Sequence, residues 1–595
     1  MDAIITLFNE AYDLHQRGDL AKAELLYKKI LGINRNNFDT IYLLAKLFAE
    51  KNLSGQAVEL LKEAIDMAPN NPQPYILLGH IYNRLEMFSD AVAAYNSALH
   101  LAPDNAGTFY AKGIALSELM HYEEALEAFQ KAIDLDRTLK EAYSAQGYIL
   151  HAQNLPNEAL LKYQQAALLD PTNPLDLFNV AVILQEQKKY VDALAAYEKI
   201  LTLDPQSIDA LNNKGLIYSA IDQLDIAIEC HKQAIAINPL RPDSHNNLGY
   251  LYQELMRFDE ALVSYEKAIA LQPDYPDARW NRASILLAQG DYENGFLEYE
   301  WRLKLHDVNP RKFLCERWNG TQHLKGKTVL IHSEQGLGDA IQFTRYINLI
   351  AEHAARVIFE VQAPLLPLLN DLPSNVETIL QGSQLPHFDY ECPMMSLAMC
   401  LKTTLKTIPS PEGYLKANQS LVNSWSIRLG KKKVPRIGIV WSSVSNYPDD
   451  RKRSMSLRSF LKCLPDKGFE YICLQKVVKD EDLETLKENP HIHFYGNELN
   501  TFQDTAALIE CVDLVLSTCT SVPHLSGALG KPTWIVLPFK SDWRWLTQRE
   551  DSPWYGNTKL YRQESYGDWS GVLHRVRQDL ESLTTTSDVE ASESN

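Results

Sequence analysis

The segment Glu334-Gln335-Gly336-Leu337-Gly338-Asp339, continued by Gln342-Phe343, has residue types and spacing suited to holding a ligand beside a base. It follows the apolar run Thr328-Val329-Leu330-Ile331, read as a buried parallel strand, and precedes an amphipathic segment, Ala340 to Ala354, read as a helix. Gly336 and Gly338 permit a tight turn and a close approach of backbone to ligand. A helix start beyond them aims free N–H groups and a positive dipole end at whatever sits there. Asp339 has two readings. It caps the helix, or it reaches a substrate hydroxyl and takes its proton as a general base. The stretch is neither a dinucleotide fingerprint nor a P-loop: position 341 is Ile, and no Gly-Lys-Ser/Thr follows.

Four later segments also carry usable groups. Asp449 to Ser454 holds three adjacent cations, Arg451, Lys452 and Arg453, which suit a diphosphate; a solvated loop is the plainer reading. Leu474-Gln475-Lys476 sets a lysine just past a strand end, where an ordinary exposed lysine is the alternative. Thr520 and Ser521, between a strand and a helix, make an N-cap and an anion site together, and His524 falls in the first helical turn beside them. Pro538 to Trp545, including Asp542 and Trp543, and then Arg549 to Tyr555 mix aromatic and charged residues in a way that suits a base or sugar, or else lines a core.

The elements that must position these groups come in two kinds. Residues 4 to about 275 repeat every 34 residues without insertion. A small residue recurs in a first helix (Gly79, Gly113, Gly147, Gly215, Gly249), then an alanine in a second (Ala91, Ala125, Ala159, Ala227, Ala261), and four residues later a larger one (Tyr95, Phe129, Tyr163, His231, Tyr265). A degenerate further copy runs from Pro276 to about Leu305, so the array is taken as 1–308. Asn179, Asn213, Asn247 and Asn281 recur at the same period, and a carboxamide there can pair with an extended peptide backbone of any sequence. The alternative is that Asn is simply common at that position.

Near Asn309 the period ends and strands alternate with helices. A first half, about 309–420, has strand candidates at 328–332, 357–361 and 376–380, with a further segment from Asp389 to Leu397. A polar linker is expected at 416–434. A second half, 421–583, has strand candidates beginning at Arg436, Tyr471, Leu514 and Thr533. Two doubly wound halves predict ligand binding at the carboxyl ends of the strands. The polar, acidic stretch 584–595 reads as a disordered tail.

Composition narrows the function classes. The 595 residues carry a net charge of −18, which argues against nonspecific binding to nucleic acid or an anionic membrane. No apolar run is long enough for a bilayer span, no signal peptide is read at Met1, and the cysteines form no CxxC or zinc-spaced cluster. A cytoplasmic location and no metal are expected.

The repeat pattern resembles the tetratricopeptide repeat, whose copies stack into a superhelix with a concave groove. The segments at Glu334–Asp339, Arg451–Ser454, His524–Pro532, Asp542–Trp545 and Arg549–Tyr555 resemble bacterial repeat proteins that end in a GT-B glycosyltransferase module of the heptosyltransferase-like class. The resemblance covers nearly the whole chain. The architecture is also similar to protein O-GlcNAc transferases, where a comparable asparagine ladder occurs. It implies a nucleotide-sugar substrate bound mainly by the second half, a protein acceptor recruited by the repeats and set against the first, and Asp339 as base. It implies no cofactor and no metal. One departure stands out: Cys519 occupies the place of the family's Asp in an Asp-Thr-x-x-x-His pattern. A carboxylate for a sugar hydroxyl is therefore missing, which points to a changed donor or to lost activity. A non-catalytic repeat scaffold and a glycan-directed enzyme are the alternatives. A thiol at a helix N-terminus could also be acidified, although a plain small residue explains Cys519 as well.

Overall fold

The computed structural model describes residues 2–306, 311–409, 412–443 and 450–593, the side chains of Asp2, Ala3, Arg451 and 584–593 excepted. It divides into two compact units, Met1–Asn238 and Pro239–Asn595.

The first unit is a series of helical hairpins, from Asp2–Gln16 with Leu20–Ile33 to Ile208–Ala220 with Leu224–Ile237. The glycines of the period have a steric cause. A Cβ on Gly79 or Gly113 would stand 2.5 Å from the ring of Tyr95 or Phe129, so the second helix's ring lies on the first helix's backbone. Each hairpin turns through one residue of positive φ. Asn52, Glu86, Met120, Asn154, Lys188 and Asp222 all lie between 58° and 62°. The turn closes by bonds such as Leu53 N–H to the Phe48 carbonyl at 2.8 Å, the pattern that satisfies a helix's last carbonyls. Repetition of that bond explains why so many non-glycine residues accept the left-handed conformation.

The second unit opens with two more hairpins, Pro242–Glu254 with Phe258–Leu271 and Pro276–Ala288 with Tyr292–Tyr299, and a 3-10 turn, Glu300–Lys304. Two parallel sheets follow. The strands are β1 (Glu316–Arg317), β2 (Thr328–His332), β3 (Arg356–Val361), β4 (Val376–Leu380) and β5 (Tyr390–Pro393), then β6 (Arg436–Val440), β7 (Glu470–Cys473), β8 (Ile492–Phe494), β9 (Leu514–Thr518), β10 (Thr533–Leu537) and β11 (Thr558–Arg562). Their orders are β1-β5-β2-β3-β4 and β11-β10-β9-β6-β7-β8. The second order reverses direction between β6 and β9, and ligands bind such sheets at that switch, outside the carboxyl ends.

Several expectations are corrected. The helix after the glycine turn starts at Leu337 rather than Ala340 and is interrupted by a 3-10 turn, Thr344–Tyr346, where the Thr344 hydroxyl donates to the Ala340 carbonyl at 2.7 Å. The expected linker contains a helix, Gln419–Leu429, capped by Asn418 and anchored by buried Trp425, which lies 5.2 Å from the Tyr495 ring. The last helix is Ser570–Glu593 and extends into the stretch read as a tail from 584; no Gly or Pro follows Gly571 to stop it. Strands β1, β8 and β11 lack the continuous apolar run that marks the buried strands, and the sequence did not mark them.

The unit boundary also differs from the end of the period. Tyr292, Phe296 and Tyr299, in the last hairpin, share one apolar core with Val329, Ile331, Phe343, Trp543 and Trp554. Trp554 Nε1 donates to the Tyr292 hydroxyl at 2.8 Å. The last hairpin is thus built into the core of the α/β region, and the one before it meets that region's lysines through Glu254. No helix among the described residues is long and apolar enough to cross a membrane.

Candidate functional site

The glycine turn after β2 and the helix after β9 meet. Gly336 has φ −68°, and Gly338 is not in the left-handed region either, so conformational freedom is not what these positions need. Gly338 is small for another reason: a Cβ there would stand 3.1 Å from His524 Cδ2 and 3.5 Å from Ser521 Cα. The turn lies directly on the first turn of the helix Ser521–Ala528, whose N-cap Thr520 accepts from the Val522 N–H at 3.3 Å. That helix start carries the partial positive charge that favours an anion.

Arg544 joins the two sides. Its Nη2 donates to Asp339 Oδ1 at 2.5 Å, its Nη1 to both Asp542 oxygens at 2.9 and 3.0 Å, and its Nε to Gln342 Oε1 at 2.7 Å. The other Asp339 oxygen accepts from the Gly336 N–H at 3.0 Å, so Asp339 caps the turn and also sits in the ion cluster. Two carboxylates thus share one guanidinium and diverge. Burial raises Asp339 above the ordinary carboxylate value, and Arg544 only partly offsets this. At Asp542 burial is outweighed by Arg544, whose guanidinium and backbone N–H hold it below that value. Glu334, by contrast, is fully engaged. It accepts from Arg302 at 2.7 and 3.1 Å and from the Met395 N–H at 2.9 Å, which fixes the loop.

His524 is buried, stacks on Trp545 at 5.1 Å and pairs through Nδ1 with the Tyr555 hydroxyl at 2.9 Å. Burial, with Arg544, Arg345 and Arg453 nearby, lowers its pKa to about 3. Arg345 is itself a buried cation with no carboxylate partner among the described residues. Its guanidinium donates to the Trp554 carbonyl at 2.8 Å and lies 4.7, 5.1 and 4.9 Å from the rings of Tyr414, Trp554 and Tyr555. A neutral His524 leads to a prediction. The folded state resists protonating it, so stability is full above the ordinary histidine value near 6.5 and falls as pH drops toward 3. Its ring resonances should show no titration between pH 5 and 8. A midpoint near 6.5 by NMR would refute the assignment.

Other expectations fare differently. Trp543 is a core residue: its ring lies 5.6 Å from Phe296, 6.0 Å from Tyr299 and 6.0 Å from Trp554. Lys476 is exposed and donates to the Asn500 carbonyl at 3.2 Å; no contact joins it to the cluster. Its neighbour Gln475 is the buried one, accepting from the N–H groups of Trp441 and Ser442 at 2.8 and 3.2 Å. Arg453 pairs with Asp450 at 3.2 Å and acts electrostatically on both His524 and Cys519. Asp449 and the side chain of Arg451 lie outside the described residues. Cys519 is not acidified. Burial raises its pKa to about 11, and its sulfur accepts from Trp545 Nε1 at 3.1 Å.

Asn179 and Asn213 belong to the first unit and are half-buried; Asn247 and Asn281 belong to the second. Two of the four amides are already engaged. Asn281 donates to Asn246 Oδ1 at 3.1 Å, and Asn213 bonds the Tyr197 hydroxyl. Among the described residues no group of three or more His, Cys, Asp or Glu could hold a metal ion.

Arg544 and Gln342 stand inside the motifs quoted above, yet only the fold reveals that they meet. Nothing in the sequence marks Glu254, Arg302 or Arg345.

Tetratricopeptide-repeat family models match residues 47–113, 110–174, 196–229 and 242–275. Protein FlbA of Caulobacter vibrioides is 28% identical over 324 residues, which cover 50% of this chain and 54% of FlbA. The chain thus spans about half the length of that relative. Similar solved structures include MamA (24% identity, 27% of this chain and 94% of that one, TM-score 0.27) and YrrB, described as a repeat protein with an unusual peptide-binding site (24%, 31% and 96%, 0.29). The C-terminal part of a repeat protein from Cytophaga hutchinsonii is another (18%, 40% and 98%, 0.37). The N-terminal part of the chain, through about residue 290, is an array of tetratricopeptide repeats, and an α/β region of two parallel sheets follows it.

Proposed function

We propose that the α/β region is a GT-B glycosyltransferase module that moves a sugar from a nucleotide-sugar donor to an acceptor hydroxyl, and that the repeats recruit a protein or peptide acceptor. The observation that carries this reading is the divergence of Asp339 and Asp542 on one guanidinium, beside a capped helix N-terminus. Two carboxylates pushed apart in pKa mark an acid–base assignment. Asp339, raised above the ordinary carboxylate value, is the base; Asp542 keeps Arg544 charged and in place.

In the proposed reaction the acceptor oxygen forms a bond to the anomeric carbon while Asp339 takes its proton. The bond from that carbon to the donor phosphate breaks, and the nucleoside diphosphate leaves with the electron pair, inverting the configuration. The positive dipole end of the helix Ser521–Ala528 and the charge of Arg453 meet the developing negative charge.

A second reading is favoured by Cys519. A buried thiol with its pKa near 11 supplies no carboxylate for a sugar hydroxyl, as in a repeat scaffold that binds sugar nucleotides without turnover. One experiment separates the two. The full chain is screened with uridine, guanosine, adenosine and cytidine diphosphate sugars for thermal stabilisation and for release of nucleoside diphosphate. A donor at a hundred times its Kd stabilises by about 2.7 kcal/mol. Stabilisation with release supports the transferase; stabilisation without release supports the sensor; neither overturns both.

A further inference from the structure

Glu254 is out of place by local rules. It ends the helix Pro242–Glu254, where the dipole disfavours a carboxylate, yet its side chain is only 2% exposed. Residues at the same position of other repeats, Glu50, Glu118 and Glu186, are exposed. Two lysines account for the difference, Lys452 on the short helix Asp450–Arg453 and Lys540 on the loop after β10. Lys452 Nζ meets Oε2 at 2.5 Å and Lys540 Nζ meets Oε1 at 2.5 Å. Burial opposes the charge of Glu254, but Lys540 and Lys452 hold its pKa below the ordinary value.

The loop after β10 is fixed on both sides of Lys540. The Phe539 N–H donates to Gln563 Oε1 at 3.0 Å, and Arg562 Nη1 donates to the Ser541 hydroxyl at 2.7 Å. A few residues on, the same loop supplies Asp542 and Arg544, which reach Asp339. Lys540 lies 5.1 Å from the Tyr250 ring and keeps a quarter of its side chain exposed. An ammonium has three N–H donors, and Glu254 takes one. Glu254 itself is too deeply buried for a ligand to replace it.

We propose that Lys540 is a phosphate-recognising residue for a pyrophosphate or nucleoside diphosphate group, and that Glu254, closed on its other side by Lys452, is the positioning residue that holds it. The proposal rests on the sugar-nucleotide reading for the rest of the ligand; the lysine itself is tested with inorganic pyrophosphate. A fixed ammonium on a loop that also carries the reacting cluster needs no reorganisation when phosphate arrives.

The test is calorimetric titration of the full chain with pyrophosphate at low and moderate salt. Lys540→Met should weaken binding about tenfold or more, and Lys540→Arg, which keeps the charge, should restore much of it. Glu254→Gln should also weaken binding, with Glu254→Asp intermediate, a grading that loss of fold would not produce; circular dichroism checks each variant. Wild type that does not bind pyrophosphate, a Lys540→Met variant that binds normally, or a Glu254→Gln variant that binds more tightly each overturns the proposal. Binding that depends on Lys540 without turnover of any donor leaves it standing while the transferase reading falls.

Discussion

Exchanging Asp339 for Asn is expected to lower donor turnover by roughly a hundredfold or more, the scale of a lost general base, with the fold and donor affinity nearly kept. An asparagine oxygen can still accept from the Gly336 N–H, so the turn remains capped. Arg544 loses one carboxylate but keeps its two bonds to Asp542, so no buried cation is orphaned. The linkage points the same way. Because Asp339 is raised in the folded state, its contribution to stability is present below the ordinary carboxylate pKa of 3.8 and lost as pH rises through the raised value. At neutral pH an uncharged side chain therefore costs little, about 1 kcal/mol at most for the altered hydrogen bonds. In the wild type, kcat/KM should rise with pH through a limb lying above 3.8, and that limb should vanish in the residual activity of the variant. Wild-type turnover in Asp339→Asn would reduce the residue to a cap. Neither obvious substitute would then serve, since Glu334 is fully bonded and the buried His524 ring, its pKa lowered to about 3, is too weak a base.

Trp543→Ala is expected to destabilise the C-terminal unit by about 3–5 kcal/mol, the usual cost of removing a large buried aromatic. The ring is 6% exposed and meets Tyr292, Phe296, Tyr299 and Trp554, while the Arg544 guanidinium lies 4.4 Å from it. Its loss leaves a cavity beneath the side chain that orders both Asp339 and Asp542. Urea unfolding followed by tryptophan fluorescence measures the change. Unchanged stability with a selective loss of donor binding would restore the residue to the ligand site and remove it from the core.

What could be read from the chain follows from how local each signal is. The repeats were legible because Gly79 and Tyr95 repeat a contact that recurs at one period. Strands such as β9 were legible because both faces are buried, giving an unbroken apolar run. Strand β11, with Lys559 and Arg562 among its residues, carries no such run. At the site, types were readable and partners were not. Asp339 and Asp542 were both singled out, but that Arg544 links them depends on the close approach of two residues 205 positions apart. The same limit explains the misreading of Trp543: an aromatic between charged residues looks alike in a sugar site and in a core. Lys476 follows a strand end as expected, yet its side chain turns to the Asn500 carbonyl.

The bond between Trp554 and Tyr292, and the aromatic core around it, bears on how such a chain can be inherited. Upstream of Pro239 a whole repeat can be gained or lost without touching that core. Between Pro242 and Tyr299 it cannot, because a 34-residue shift would put Phe258 in the place of Tyr292, with no hydroxyl for Trp554, and would move Glu254 away from its lysines. Gene fusion or grafting of the α/β region therefore has to carry the last two hairpins with it. A junction drawn where the sequence period stops would sever a single folding unit, whereas one drawn near Asn238 would pass the two sheets on as an intact, heritable cassette.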